Sequence, residues 1–304
     1  TGLYSHQAGI ANFTGKDRSD SLGPAYLGRL NNRSVTIAEV LKSAGYQTYG
    51  VGKWHVGHEA LPTDRGFDEY YGYVKGHSAS QWNARNYTRL PKGRKEELTY
   101  VDKIYYATDV FSDYAVEFIQ QAEKEESPFF LYLAHSSPHF PLEAPSETRD
   151  SYLSIYRQGW DKLREKRYER QKEIGLVTDS WKFTELSDVP VDRDDIANHY
   201  AGKTNPKWKD LTDDRKEDLV YRMATFAAMI EHVDRGIGRI IASLEVQGKL
   251  QDTLILFTSD NGACYEWGPF GFDRSSRQGF TKLHKGKELK NVGGPGTYHS
   301  VGSG

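Results

Sequence analysis

Residues 107–134 read ATDVFSDYAVEFIQQAEKEESPFFLYLA, and the change of hydrophobic period within them decides the fold. Residues 107–125 place apolar side chains at helical spacing, Ser127-Pro128 breaks the pattern, and FFLYLA is an almost wholly apolar run of buried-strand length. A helix followed by a strand is therefore expected here, with His135 and His139 in the tail that follows.

The same unit occurs upstream and downstream. Thr36 and Glu39 have the spacing of a capping box, Ile37, Val40, Leu41 and Ala44 follow as the expected apolar stripe, and Gly45 is the stop. A strand is predicted over Tyr46 to Val51, with Lys53 and His55 beyond it. Downstream, LVYRMATFAAMIEHVDRGIGRIIASLEVQG predicts a long helix ending near Gly248, and TLILFT predicts a strand over 253–258, followed by Ser259-Asp260-Asn261-Gly262. Helices alternating with apolar strands imply an α/β fold with a mainly parallel sheet flanked by helices on both faces. Ligands in such sheets bind outside the carboxyl ends of the strands, so Lys53, His55, His135, His139, Asp260 and Asn261 are the candidate site residues. Residues 146–216 break the rhythm: SYLSIYRQGWDKLREKRYERQKEIGL is helical and charged, then Pro and Asp punctuate the chain to Asn205-Pro206. This region reads as a helical excursion from the sheet, its charge run being the pattern of a solvated helix face.

The 304 residues can bury a large core, and one domain is expected over residues 1–304. Forty Lys and Arg against 42 Asp and Glu give a net charge of −2, so neither a nucleic-acid backbone nor an anionic membrane is the expected partner. No apolar run is long enough to span a bilayer, and the single cysteine, Cys264, excludes an internal disulfide. The 20 Tyr, 13 Phe and 6 Trp are compatible with sugar-stacking surfaces as well as with ordinary core and rim packing.

Several motifs fail on inspection. In GVGKWHVGH, residues 50–58, His55 stands where a dinucleotide fingerprint needs its third glycine, and Trp54 follows Lys53 where a Walker A loop needs Ser or Thr. The pairs His55/His58 and His135/His139 have zinc-like spacing, but Pro138 forbids a helix in the second pair and no thiolate supports either. What remains is a carboxylate next to an amide oxygen, suited to a hard cation such as Ca²⁺ or Mg²⁺, a lysine for a tetrahedral oxyanion, and two histidines for acid and base. Together they suggest transfer of a phosphoryl or sulfuryl group.

GVGKWHVGHEALPTDRGFDEYYGY, SPFFLYLAHSSPHFPLEAP and LILFTSDNG resemble, in order, three motifs of the sulfatases, and LYSHQAGI resembles the continuation of their signature. The resemblance covers most of the chain and is nearest to arylsulfatase-like enzymes of the alkaline-phosphatase-like superfamily. It implies hydrolysis of sulfate monoesters on a sulfated small molecule or sulfated carbohydrate, with Asp260 and Asn261 as Ca²⁺ ligands. Lys53 would hold a sulfate oxygen, His55 would act as base on the formylglycine hydrate, and His139 would bind sulfate and help protonate the leaving alcohol. His135 and His299 take no role from the resemblance. The formylglycine nucleophile and a first Asp pair are expected upstream of Thr1, and a second lysine and a small C-terminal domain beyond Gly304, so the chain reads as a central fragment that does not turn over substrate alone. Cys264, in GACYEWG, lacks the Pro-x-Arg context for the modification and is expected to be a packing residue. A periplasmic or extracellular location is implied by the resemblance only. Two alternatives stay open: a two-metal phosphodiesterase or phosphatase, which usually has Asp-His where this chain has Asp-Asn, and a non-catalytic homologue that binds sulfated glycans.

Overall fold

The computed structural model describes residues 1–94, 100, 104–189, 198–262, 268–272, 282–297 and 299–301. Its elements in chain order are α1 (Ser19–Leu22), α2 (Ile37–Ser43), β1 (Gln47–Lys53), β2 (Glu69–Tyr73), β3 (Thr88–Leu90), α3 (Ala107–Lys124), β4 (Phe129–Ala134), α4 (Ser146–Tyr156), α5 (Trp160–Glu173) and α6 (Asp213–Val246), with short 3-10 turns between them. The chain forms two compact units, the first comprising Thr1–Ser137 with His232–Ile255 and the second Pro138–Glu231 with Leu256–Gly304.

The first unit holds the sheet, in the order β3-β2-β1-β4. β1 lies parallel to both β2 and β4, and only β3 runs antiparallel, against β2. The mainly parallel α/β class predicted from the sequence is thus observed. Alternate side chains of β1 and β2 go to opposite faces. Tyr49, Val51 and Tyr71 meet Val110, Phe111, Tyr114 and Phe118 of α3 on one face, where Tyr71 stacks on Tyr114 at 3.8 Å and Tyr49 on Phe118 at 4.9 Å. Tyr70, Phe67, Trp54, Leu90 and Ala38 fill the other. Burial of each large side chain in such a core stabilises the fold by about 1.5–3 kcal/mol.

The capping box forms as read: Thr36 Oγ1 accepts from the Glu39 amide at 3.1 Å, and Glu39 Oε2 accepts from the Thr36 amide at 2.7 Å. The apolar stripe of α2 does not pack as expected, because Ile37 and Val40 are more than half exposed while Ala38 is fully buried. The reason is a close backbone approach. A Cβ at Gly66 would lie 2.3 Å from the Glu39 nitrogen, so small residues, not large ones, set the contact face.

The strand expected over 253–258 is not formed. Those residues carry no strand pairing, and Leu254, Leu256 and Phe257 are at least 80 % exposed. An apolar run becomes a strand only where a neighbouring strand accepts its amides and carbonyls, and among the described residues none does so here. β1 also differs in extent, ending on Lys53 rather than Val51.

The second unit contains the charged region. The helical run expected from Ser151 onward is two helices, α4 and α5, divided at Arg157–Gly159. Gly159 has φ +83°, and a Cβ there would sit 2.3 Å from the Trp208 ring, so glycine is required by both conformation and space. Trp160, Leu211, Leu219 and Phe270 form the core of this region. The long helix predicted up to Gly248 is observed as α6, followed by Gly248 at φ +68°.

Candidate functional site

The glycines of GVGKWHVGH serve the sheet. Gly52 has φ +107°, and a Cβ on it would come within 1.9 Å of the Ala134 carbonyl oxygen. β1 can therefore approach β4 only with glycine at this place, in the register Gly52↔Ala134. That register brings Lys53 and the residues after Ala134 to the same edge of the sheet, the carboxyl edge of two parallel strands. Trp54 turns inward, its indole N–H donating to the Ala60 carbonyl at 2.8 Å and its ring meeting Phe67 edge-on at 6.0 Å. Lys53 and His55 on either side of it are half-buried. His55 has φ +39°, a left-handed conformation that non-glycine residues seldom adopt and that concentrates at functional positions. His58 is exposed, with Nδ1 3.3 Å from the Val74 carbonyl.

His135 follows β4 at this edge. Both its ring nitrogens are inaccessible and meet no hydrogen-bond partner among the described residues. Burial lowers its pKa to about 4, with Asp109 opposing and Arg239 reinforcing the shift. A histidine held neutral in the folded state takes up a proton on unfolding below its ordinary pKa of 6.5. Stability is therefore expected to fall as pH drops from about 6.5 to about 4, by up to roughly 3 kcal/mol. Urea melts of wild type and His135→Leu at pH 7.5 and 4.5 check this, the variant losing less stability over the interval. Ser137, two residues on, bonds Thr108 at 2.5 Å, and Thr108 donates to Gln81 Oε1 at 3.2 Å. His135 is thus a partly buried residue of the first unit whose ring nitrogens face away from solvent.

In the second unit His139 occupies a turn, as Pro138 requires, with Nδ1 2.7 Å from the Phe140 carbonyl. Its ring lies 4.3 Å from that of Phe140, which meets Phe272 edge-on at 4.8 Å. His139 is exposed. Asp260 and Asn261 lie in an exposed bend held by the Ser259 hydroxyl, which donates to the Asn261 carbonyl at 2.7 Å. A carboxylate and an amide oxygen side by side have the donor chemistry of a hard cation site, but they are two of the six to eight oxygens that Ca²⁺ takes. Among the described residues no group of three or more His, Cys, Asp or Glu side chains comes together. Cys264 lies outside the described residues.

The family model described as Sulfatase matches residues 1–292. The chain belongs to the sulfatase family. It is similar to an uncharacterized sulfatase, PB10D8.02c, of Schizosaccharomyces pombe, at 34 % identity over 79 % of this chain and 43 % of that protein. It is also similar to an arylsulfatase of Klebsiella aerogenes, at 30 % identity over 99 % of this chain and 62 % of that one. The chain thus spans between two-fifths and two-thirds of the length of these relatives. Among solved structures, Ps i-CgsB in complex with k-i-k-neocarrahexaose is 23 % identical, with a TM-score of 0.48 over 82 % of this chain and 43 % of that one.

The sulfatase chain also contains a buried polar cluster that sequence reading overlooked. Asp218 and Arg222 of α6 are both fully buried and paired at 3.1 Å, and Arg215 reaches the same carboxylate at 3.0 Å. The other Asp218 oxygen lies 2.7 Å from His284 Nδ1. Arg222 donates to the carbonyls of Ser300 at 2.9 Å, Lys282 at 3.0 Å and Phe272 at 3.4 Å. One helix residue thereby fastens three points of the segment that follows Asp260-Asn261 in sequence. His299, fully buried with its ring 5.7 Å from that of His284, belongs to this cluster, and burial, reinforced by Arg222 and His284, holds its pKa well below the ordinary value.

No helix among the described residues is long and apolar enough to cross a membrane.

Proposed function

We propose that the full-length protein hydrolyses sulfate monoesters of carbohydrates. The observation that carries this reading is the placement of Lys53 as the last residue of β1, with strained His55 two residues on, at the carboxyl edge of a parallel strand pair in a sulfatase-family chain. A relative named N-acetylglucosamine-6-O-sulfatase, from Bacteroides thetaiotaomicron, is 25 % identical over 86 % of this chain and supports the carbohydrate class.

In this reading the Lys53 ammonium, a compact charge, faces a sulfate oxygen and offsets the negative charge that grows on the group during transfer. His139 donates a proton to the departing alcohol as the ester bond to sulfur breaks, and His55 accepts a proton when inorganic sulfate is released. The formylglycine expected upstream of Thr1 would supply the nucleophilic oxygen. Asp260 and Asn261 would give two oxygens to Ca²⁺, which balances sulfate charge when bound. Release of inorganic sulfate from 6-O-sulfated N-acetylglucosamine, followed by ion chromatography, tests the proposal. Release is expected, with loss of more than about 90 % after exhaustive chelation and recovery on adding Ca²⁺. Absence of release from carbohydrate and aryl sulfates alike by the Ca²⁺-supplied protein would refute it.

A further inference from the structure

We infer that α5 and the segment 174–184 form a binding platform for a sulfated saccharide, separate from the residues assigned to sulfate transfer. The inference rests on the reading above for the substrate class and adds where the carbohydrate is gripped. Arg164, Tyr168 and Lys172 stand four residues apart on α5 and so form one stripe. The chain beyond the helix returns along this stripe and is pinned to it. The Leu176 amide donates to the Gln171 carbonyl at 2.8 Å, the Tyr168 hydroxyl to the Trp181 carbonyl, and Arg164 to the Thr184 carbonyl at 3.0 Å. The Phe183 ring lies 5.3 Å from Tyr168 with the Arg164 guanidinium 5.0 Å above it, while Lys172 sits 5.7 Å from the Tyr168 ring and pairs with Asp179 at 2.9 Å. Cation and aromatic side chains alternate in a fixed array.

This array leaves apolar surface in water. Trp181 is 66 % exposed, and Ile174, Leu176 and Phe183 are exposed beside it. Four large apolar side chains are thus open to solvent within ten residues of sequence, along the segment that is pinned to α5. Lys182, next to Trp181, is exposed and makes no hydrogen bond or ion pair with a described residue. α5 carries six basic and four acidic residues, although the chain as a whole has a net charge of −2. The partner must offer an apolar face to an exposed indole, anionic groups to Lys182 and the basic residues of α5, and hydroxyls to the carboxylates interspersed along the helix. A sulfated sugar chain has all three.

The test is calorimetric titration of the full-length protein, carrying Lys53→Ala so that the ligand stays intact, with a panel of sulfated galactan and glycosaminoglycan hexasaccharides and their desulfated counterparts. Binding of at least one sulfated hexasaccharide is expected, weakened roughly tenfold by Trp181→Ala and roughly threefold by Lys182→Ala. Wild type carrying Trp181→Ala should keep its turnover of a small aryl sulfate. Unchanged affinity in Trp181→Ala, no binding by any sulfated hexasaccharide, equal binding of the desulfated ones, or a preference for anionic vesicles would each overturn the inference. If sulfate release fails but sulfation-dependent, Trp181-dependent binding persists, the proposed hydrolysis falls and the platform stands.

Discussion

Lys53→Ala is expected to lower sulfate release by at least about a hundredfold while leaving the unfolding midpoint nearly unchanged. The two effects separate because the residue does two things through different atoms. Its backbone closes β1 in register with Tyr73, and alanine preserves that pairing. In the proposed mechanism its side chain supplies the charge that the transferred group needs, and alanine removes it. The loss should fall on kcat more than on KM if the ammonium acts on charge that develops in the transition state. Lys53→Arg should not restore the rate, since a planar fork cannot replace a point charge beside the strained backbone of His55. Steady-state kinetics together with a thermal melt of each variant check both halves, and wild-type turnover in Lys53→Ala would remove the residue from the mechanism.

The second large effect concerns stability. Asp218→Ala should destabilise the fold by roughly 3–5 kcal/mol, because it strands the fully buried Arg222 guanidinium without its counter-charge. Burial pushes the Asp218 pKa up, but the bond from His284 and the charges of Arg222 and Arg215 outweigh it and hold the carboxyl below its ordinary value. A depressed carboxyl contributes stability above its unfolded pKa and loses it as pH falls through the folded one. The variant should therefore differ from wild type most at neutral pH and converge toward it in acid. Glu217→Ala, which removes an exposed partner of Arg157, serves as the control and should cost less than about 1 kcal/mol. Denaturant titrations of all three proteins at pH 7 and pH 4 make the comparison.

Much of the fold can be read from the sequence, for a physical reason: where a side chain packs in the plane of a strong period, the period shows. α3, β4, α6 and the core of β1 are of this kind, each with an apolar pattern several residues long. β2 and β3 are not. EYYGY opens on Glu69, which is buried because it pairs with Arg89 and with Arg94 at 3.0 Å, so its charge hides a strand from a hydrophobicity argument. β3 has only three residues and takes its identity from pairing with β2. The segment 253–258 errs the other way: its composition is that of a strand, but a strand also needs a neighbour.

The candidate site is legible unevenly. Lys53 and His55 are found because glycines, a cation and a titratable ring follow a strand, and the structure adds the reason for Gly52 and the unusual backbone of His55. His135 and His139 follow the same strand in sequence, and only the resemblance gives one of them a role; the structure adds that the ring nitrogens of His135 are shut off from solvent while His139 is exposed. The Asp218-Arg222 pair is spaced i,i+4 like any solvated helix pair, so nothing local shows that it is the anchor of a later segment.

The central claim is that these strand-end residues serve transfer of a sulfuryl group. It is tested most directly by measuring, on one Ca²⁺-supplied preparation of the full-length protein, kcat/KM for an aryl sulfate and for the matching aryl phosphate. The sulfate ester should be preferred by at least about a hundredfold, with the preference and the rate both lost in Lys53→Ala. Equal or faster release of phosphate, with two zinc ions per chain, would contradict the claim and assign the chain to phosphoryl transfer.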